Sequence, residues 1–183
     1  MRLLLPHDTR RDWAQLRAMA QKVLWPKVPQ EYRQELQAMA EGMAARGVDA
    51  DVWDLVVLNA NPEIGYYTRW LDKTKTPAAP ERCSAFVATG SWTRGGKPVI
   101  GHNNWSGYLE GTRWNIVFDI RPEKGHRILM DGFPGLIHSG DDFGVTSAGL
   151  VITETTISHF SGFDPAGIPE FVRARKAMQY ARS

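Results

Sequence analysis

A single cysteine, Cys83, occurs in 183 residues. A disulfide within the chain is therefore excluded, and so are the paired-cysteine patterns of zinc sites and redox motifs. Long apolar runs are missing too: no stretch approaches the roughly 18 residues that a membrane-spanning helix needs. The opening MRLLLPHDTRRDW offers three leucines before Pro6, too few for the apolar centre of a secretory leader. An excess of either charge is also absent. Twenty-two Lys and Arg against 20 Asp and Glu leave a formal +2, and the basic residues are scattered, so nucleic acid is not an expected partner. What is present is 43% hydrophobic content, enough to build a core.

The apolar periodicity divides the chain into a helical part, residues 1–72, a linker over 73–82, and a strand-rich part, 83–183. Asp12 suits the cap of a helix carrying Trp13, Leu16, Met19, Val23 and Leu24, and Pro29 suits the first turn of the next. In that second helix Tyr32, Leu36, Met39 and Met43 recur at helical spacing, with Gly47 as a stop. DVWDLVVLNA and EIGYYTRWL read as two further short helices. The stretch DKTKTPAAPER breaks the pattern. Beyond it CSAFVAT, KPVIGHN, RWNIVFDIR, HRILMDG, FGVTSAG and LVITETTI are short β-rich runs separated by turn residues, and IPEFVRARKAMQYA returns to helix. The expected class is α+β, with antiparallel strands after Cys83 and helices before and after them.

Cys83 opens the first of these runs. Folding CSAFVATG and GKPVIGHNNW into a hairpin that turns at Thr93–Gly96 makes paired residue numbers sum to about 189, which sets Cys83 across from about Ser106. The cluster His102-Asn103-Asn104-Trp105 then arrives beside the thiol. An acyl-transferring thiol needs a base to form thiolate, and the tetrahedral oxyanion needs donors such as Asn amides. If Cys83 began a mature chain, its own α-amine, of pKa near 8 in model compounds, would serve as that base. On residues alone, a lone Cys in an apolar run is more often a core filler than a nucleophile, and GHNNW reads equally as a strand end whose Asn residues bond within a turn.

The order ERCSAF, GKPVIGHNNW, SAGLVITETTI and GIPEFVRARKAMQYA resembles the core of the phospholipase B-like family of N-terminal-nucleophile hydrolases. VPQEYRQELQAMAEGMAARG with DVWDLVVLNA resembles the segment before the nucleophile, so the likeness covers roughly residues 28–182. It implies an αββα sandwich, incomplete in this chain, and a precursor that cuts itself between Arg82 and Cys83. It further implies catalytic roles for Cys83, His102, Asn103 and Thr155, with Trp105, Asn104, Glu154 and Thr156 supporting the site or binding substrate. Cleavage of an amide or ester in an acylated lipid or small molecule would follow, with no metal or organic cofactor.

Relatives in the wider superfamily hold the α-amine with an aspartate where this chain has Trp105; Asp119 is a stand-in to test. A C-terminal chain completing the sandwich is an expected partner, since a sheet with bare edges and an open face would aggregate. The rival reading is a non-catalytic lipid- or ligand-binding domain, or an inactive fragment, of the same fold. Family members that are lysosomal or secreted suggest export. Of the remaining signals, His138, Asp141 and Asp142 in LIHSGDDFG read as a polar turn rather than a metal loop, and His7, His126 and His159 as solvent-facing. Trp92, Trp105, Tyr108 and Trp114 are either an acyl pocket or core.

Overall fold

The computed structural model describes residues 2, 4–73, 83–105, 116–139, 143–155 and 162–182. It separates into two compact units, one of residues 1–77, 134–138 and 160–177, the other of 78–133, 139–159 and 178–183.

The first unit is helical. After α1 (Leu4–Thr9), α2 (Trp13–Met19) begins at a reciprocal cap: the Gln15 N–H donates to Asp12 at 2.8 Å, and the Asp12 N–H donates back to the Gln15 side chain at 2.9 Å. A π-turn over Ala20–Leu24 and a 3-10 turn over Trp25–Lys27 carry the chain to α3 (Gln30–Ala44), with Pro29 just before its first residue. The stop falls at Gly47, whose φ of 74° is cheap only without a Cβ. Asp51 caps α4 (Val52–Asn59) and α5 (Asn61–Leu71) follows at once.

Their inward faces form one core in which Leu16, Leu24, Tyr32, Leu36, Leu55, Val56 and Ile64 pack with Ile137, Phe171 and Val172. Ile137 and the two residues of α6 (Glu170–Tyr180) come from late in the chain, which a division by order along the sequence would not group with the helices. Asn59 stitches them in, its amide donating to the Leu55 and Gly135 carbonyls and its oxygen accepting from the Ile137 N–H, all at 2.9 Å. Arg175 adds an ion pair to Glu35 at 3.0 Å and a bond to the Ile137 carbonyl at 2.7 Å.

The second unit carries two antiparallel sheets. One is the hairpin β1 (Ser84–Gly90) with β2 (Gly96–Asn103). The other is the meander β3 (Ile116–Ile120), β4 (Ile128–Gly132), β5 (Phe143–Thr146) and β6 (Val151–Thr153), paired in that order. Met178 packs on Ile128 and Met130, with Phe118, Ile120 and Ile152 around them. The class is thus α+β with antiparallel sheets, as the run pattern implies. Among the described residues no helix is long and apolar enough to cross a membrane.

Candidate active site

The hairpin register is Ser84↔Asn103, Ala85↔His102, Phe86↔Gly101, Val87↔Ile100 and Ala88↔Val99. Partners sum to 187, so the expected register is off by two: continued by one step, Cys83 stands across from Asn104, not Ser106. The cause is the turn. It opens at Gly90, where the register shifts and φ is 59°, and closes through Gly95 and Gly96 at 77° and 72°. Only glycine adopts that run of positive φ freely.

Opposed residues of an antiparallel pair share a face, and successive residues alternate. Cys83, Ala85 and Val87 therefore lie on the face of Asn104, His102 and Ile100. Asn103 falls on the other face, with Ser84, Gly101 and Phe86. His102 is the diagonal neighbour of Cys83, at roughly 7–8 Å between such positions, within reach of a long side chain. Cys83 and His102 are half-buried, whereas Asn103 and Asn104 are both exposed, so burial does not distinguish the two asparagines. Nε2 of His102 is buried with no hydrogen-bond partner among the described residues. A buried ring nitrogen without a partner is costly to keep, and it leaves a donor or acceptor free for chemistry. Cys83 itself immediately precedes the first laddered residue, so its nitrogen is at the mouth of the strand rather than within it.

Glu154 and Thr155 follow β6 directly, at the end of the four-stranded sheet, Glu154 half-buried and Thr155 exposed. Arg82 and Thr156 lie outside the described residues, as do Tyr108, Trp114, Asp141, Asp142 and His159. Trp92 sits in the hairpin turn and is 88% exposed, and Trp105 is 63% exposed, so neither is a core filler of this unit. Asp119, the stand-in for an ammonium partner, is taken up by Arg127 through two bonds of 2.6 and 2.7 Å, and that guanidinium holds its carboxyl below the usual range. Among the described residues no group of three or more His, Cys, Asp or Glu could hold a metal. His138 instead hydrogen-bonds the Asn59 carbonyl through Nε2 at 3.1 Å.

Gly101 is a residue that the sequence reading passed over. A Cβ there would stand 2.3 Å from the Phe86 ring, so the ring lies directly over this glycine, one residue before His102. The available signal was a glycine inside a strand run, which marks a close approach.

Comparison with known proteins settles the family. A sequence profile for the family described as Phospholipase B matches residues 9–183, nearly the whole chain. The chain belongs to the phospholipase B family. An uncharacterised protein of Archaeoglobus fulgidus is 26% identical over 164 residues, covering 84% of this chain and 26% of that protein. The Caenorhabditis elegans relative named "Putative phospholipase B-like 2" is 28% identical over 141 residues, covering 70% of this chain and 24% of the relative. The mouse protein of the same name is 30% identical over 96 residues, 47% of this chain and 16% of that one. This phospholipase B family chain thus spans about a quarter of the length of the first two of these relatives. No solved structure matches it.

Proposed function

We propose that the chain carries the nucleophile of a hydrolase of N-terminal-nucleophile type, acting on the amide or ester bond of an acylated lipid or small molecule. The observation that supports this reading is the hairpin register, which, continued one step beyond Ser84↔Asn103, puts the lone thiol on the face of His102 and Asn104 at the open end of a strand. In the maturation step the Cys83 thiol attacks the Arg82 carbonyl carbon. The C–N bond breaks as its nitrogen takes up a proton, a thioester forms, and water hydrolyses it to an Arg82 carboxylate and a free thiol. Cys83 then bears an α-amine next to its own sulfur.

In turnover that amine accepts the thiol proton as sulfur attacks the substrate acyl carbon, and returns it to the departing amine or alcohol. Water, deprotonated by the same amine, releases the carboxylic acid and restores the thiol. A base on the nucleophile's own residue explains the position of Cys83 better than a Cys-His pair, since only the former requires the thiol to begin a chain. His102 and Asn104 supply hydrogen bonds to the oxyanion or the acyl group, and Glu154 and Thr155 belong to the wall of the site. The bare apolar side chains of the hairpin, Phe86 at 60% and Val87 at 61% exposure, fit a covering layer from further polypeptide, as an αββα sandwich would provide.

Intact-mass measurement on expressed protein tests the reading. Two pieces meeting between Arg82 and Cys83, absent in Cys83→Ala, support it. An uncut chain whose Cys83 also fails to react with thiol-directed acyl probes sinks it. An uncut chain that is acylated at Cys83 would instead favour a Cys-His hydrolase without processing.

A further inference from the structure

Glu63, in the first turn of α5, is a buried carboxyl that the proposed chemistry does not use. Its Oε1 accepts a hydrogen bond from the backbone N–H of Glu170, the first residue of α6. Its Oε2 is buried and has no hydrogen-bond partner among the described residues. The charged groups facing it are the Glu170 carboxylate and Arg173 on α6, and Lys27 in the 3-10 turn, whose ammonium donates to the Pro165 carbonyl.

Among the described residues both ionisation states leave Oε2 without a partner, but not at equal cost. A neutral carboxyl leaves one uncharged polar atom there, whereas a carboxylate leaves part of a full charge, next to a second acid. Burial is the dominant effect and pushes Glu63 up to about 7; the α6 N–H pulls down, Glu170 pushes up, and Arg173 and Lys27 pull down. Burial also raises Glu170, against Arg173.

We propose that Glu63 is a proton-operated latch on the N-terminus of α6, seating the helix when neutral and loosening its first turn when ionised. The sign follows from linkage. Glu63 holds its proton more tightly in the folded chain than at the ordinary value of 4.5, so the stabilisation is complete below that value and is lost as pH rises through about 7. A seat that loosens with rising pH is the reverse of ordinary acid denaturation. It makes the docking of α6 in the helical unit a function of proton concentration.

Carboxyl carbon NMR on the 183-residue chain, with amide hydrogen exchange over residues 170–174, tests this. The Glu63 carboxyl should titrate near 7 rather than near 4.5. After correction for intrinsic rates, protection of those amides should fall about tenfold between about pH 5 and about pH 8. Glu63→Gln should abolish the pH dependence of that protection, and Glu170→Gln should move the Glu63 titration downward by removing the like charge. A Glu63 titration at or below 4.5, or equal protection of residues 170–174 at both pH values, overturns the proposal. Both overturning readings come from the wild-type chain, so they hold even if a variant fails to fold.

Discussion

Phe86 and Gly101 show how much one missing Cβ decides. The ring sits where a methyl on residue 101 would be, across the ladder from Gly101 and one step from His102. Because Phe86 is 60% exposed, it can swing outward if pushed, so the penalty is bounded. Gly101→Ala should cost about 1 kcal/mol in urea unfolding. In a Phe86→Ala background the same change should cost markedly less, giving a positive coupling in a double-mutant cycle. Equal costs in both backgrounds would mean that the ring is incidental. At this scale the thiol and the imidazole were legible from GHNNW and CSAF. Asn103 came from the family resemblance, whereas the expected hairpin already set Asn104 on the face of the thiol, because a two-residue register error preserves the face and shifts only which neighbour is opposite.

Helices α2 and α4 are written in their first turns, where Asp12 and Asp51 meet orphan N–H groups. Asp54, one turn into α4, goes further. Burial pushes its carboxyl up, but the Asp51 N–H, Arg17 at 2.6 Å and the Trp13 indole at 2.7 Å outweigh this and hold it at about 2. Its folded value lies below the ordinary 3.8, so its contribution is present above that value and is lost as pH falls through about 2. Asp54→Asn should therefore destabilise the chain by about 2 kcal/mol at neutral pH and blunt the steepness of acid unfolding, followed by circular dichroism. A variant with an unchanged acid transition would show that the Arg17 and Trp13 bonds carry no net stability. Asp54 and Glu63 act with opposite signs, the first contribution being lost toward acid and the second as pH rises through about 7. The existence and order of the strands were legible because alternation is local, but β5 and β6 are only four and three residues long, shorter than the runs FGVTSAG and LVITETTI. The hairpin turn was not legible, since Gly90 begins it earlier than the obvious TRGG signal suggests.

Across the whole molecule the apolar surface is unevenly covered. The helical unit buries Leu16, Leu36 and Ile64 almost completely, while Val87 and Val117 on the two sheets remain 61% and 73% exposed. Exposed, extended, apolar strands invite pairing with other chains. The double variant Val87→Lys with Val117→Lys should leave the unfolding free energy within about 0.5 kcal/mol and reduce self-association in sedimentation velocity. No change in association would show that these residues are not where copies meet.

By itself the sequence determined what depends on neighbours a few residues apart: the cap at Asp12, the stop at Gly47, the alternation of the strands, and a lone thiol at the front of one of them. Its order of motifs was also enough to indicate the family. Tertiary structure alone decided the rest. Asn59 meets Gly135 across 76 positions and Arg175 meets Glu35 across 140, so nothing local announces either contact. In the same way Glu63 reads as an ordinary first-turn acid until α6 closes over it. Burial and long-range pairing are properties of what comes to lie nearby in space, and a carboxyl's chemistry follows from that neighbourhood rather than from its position in the chain.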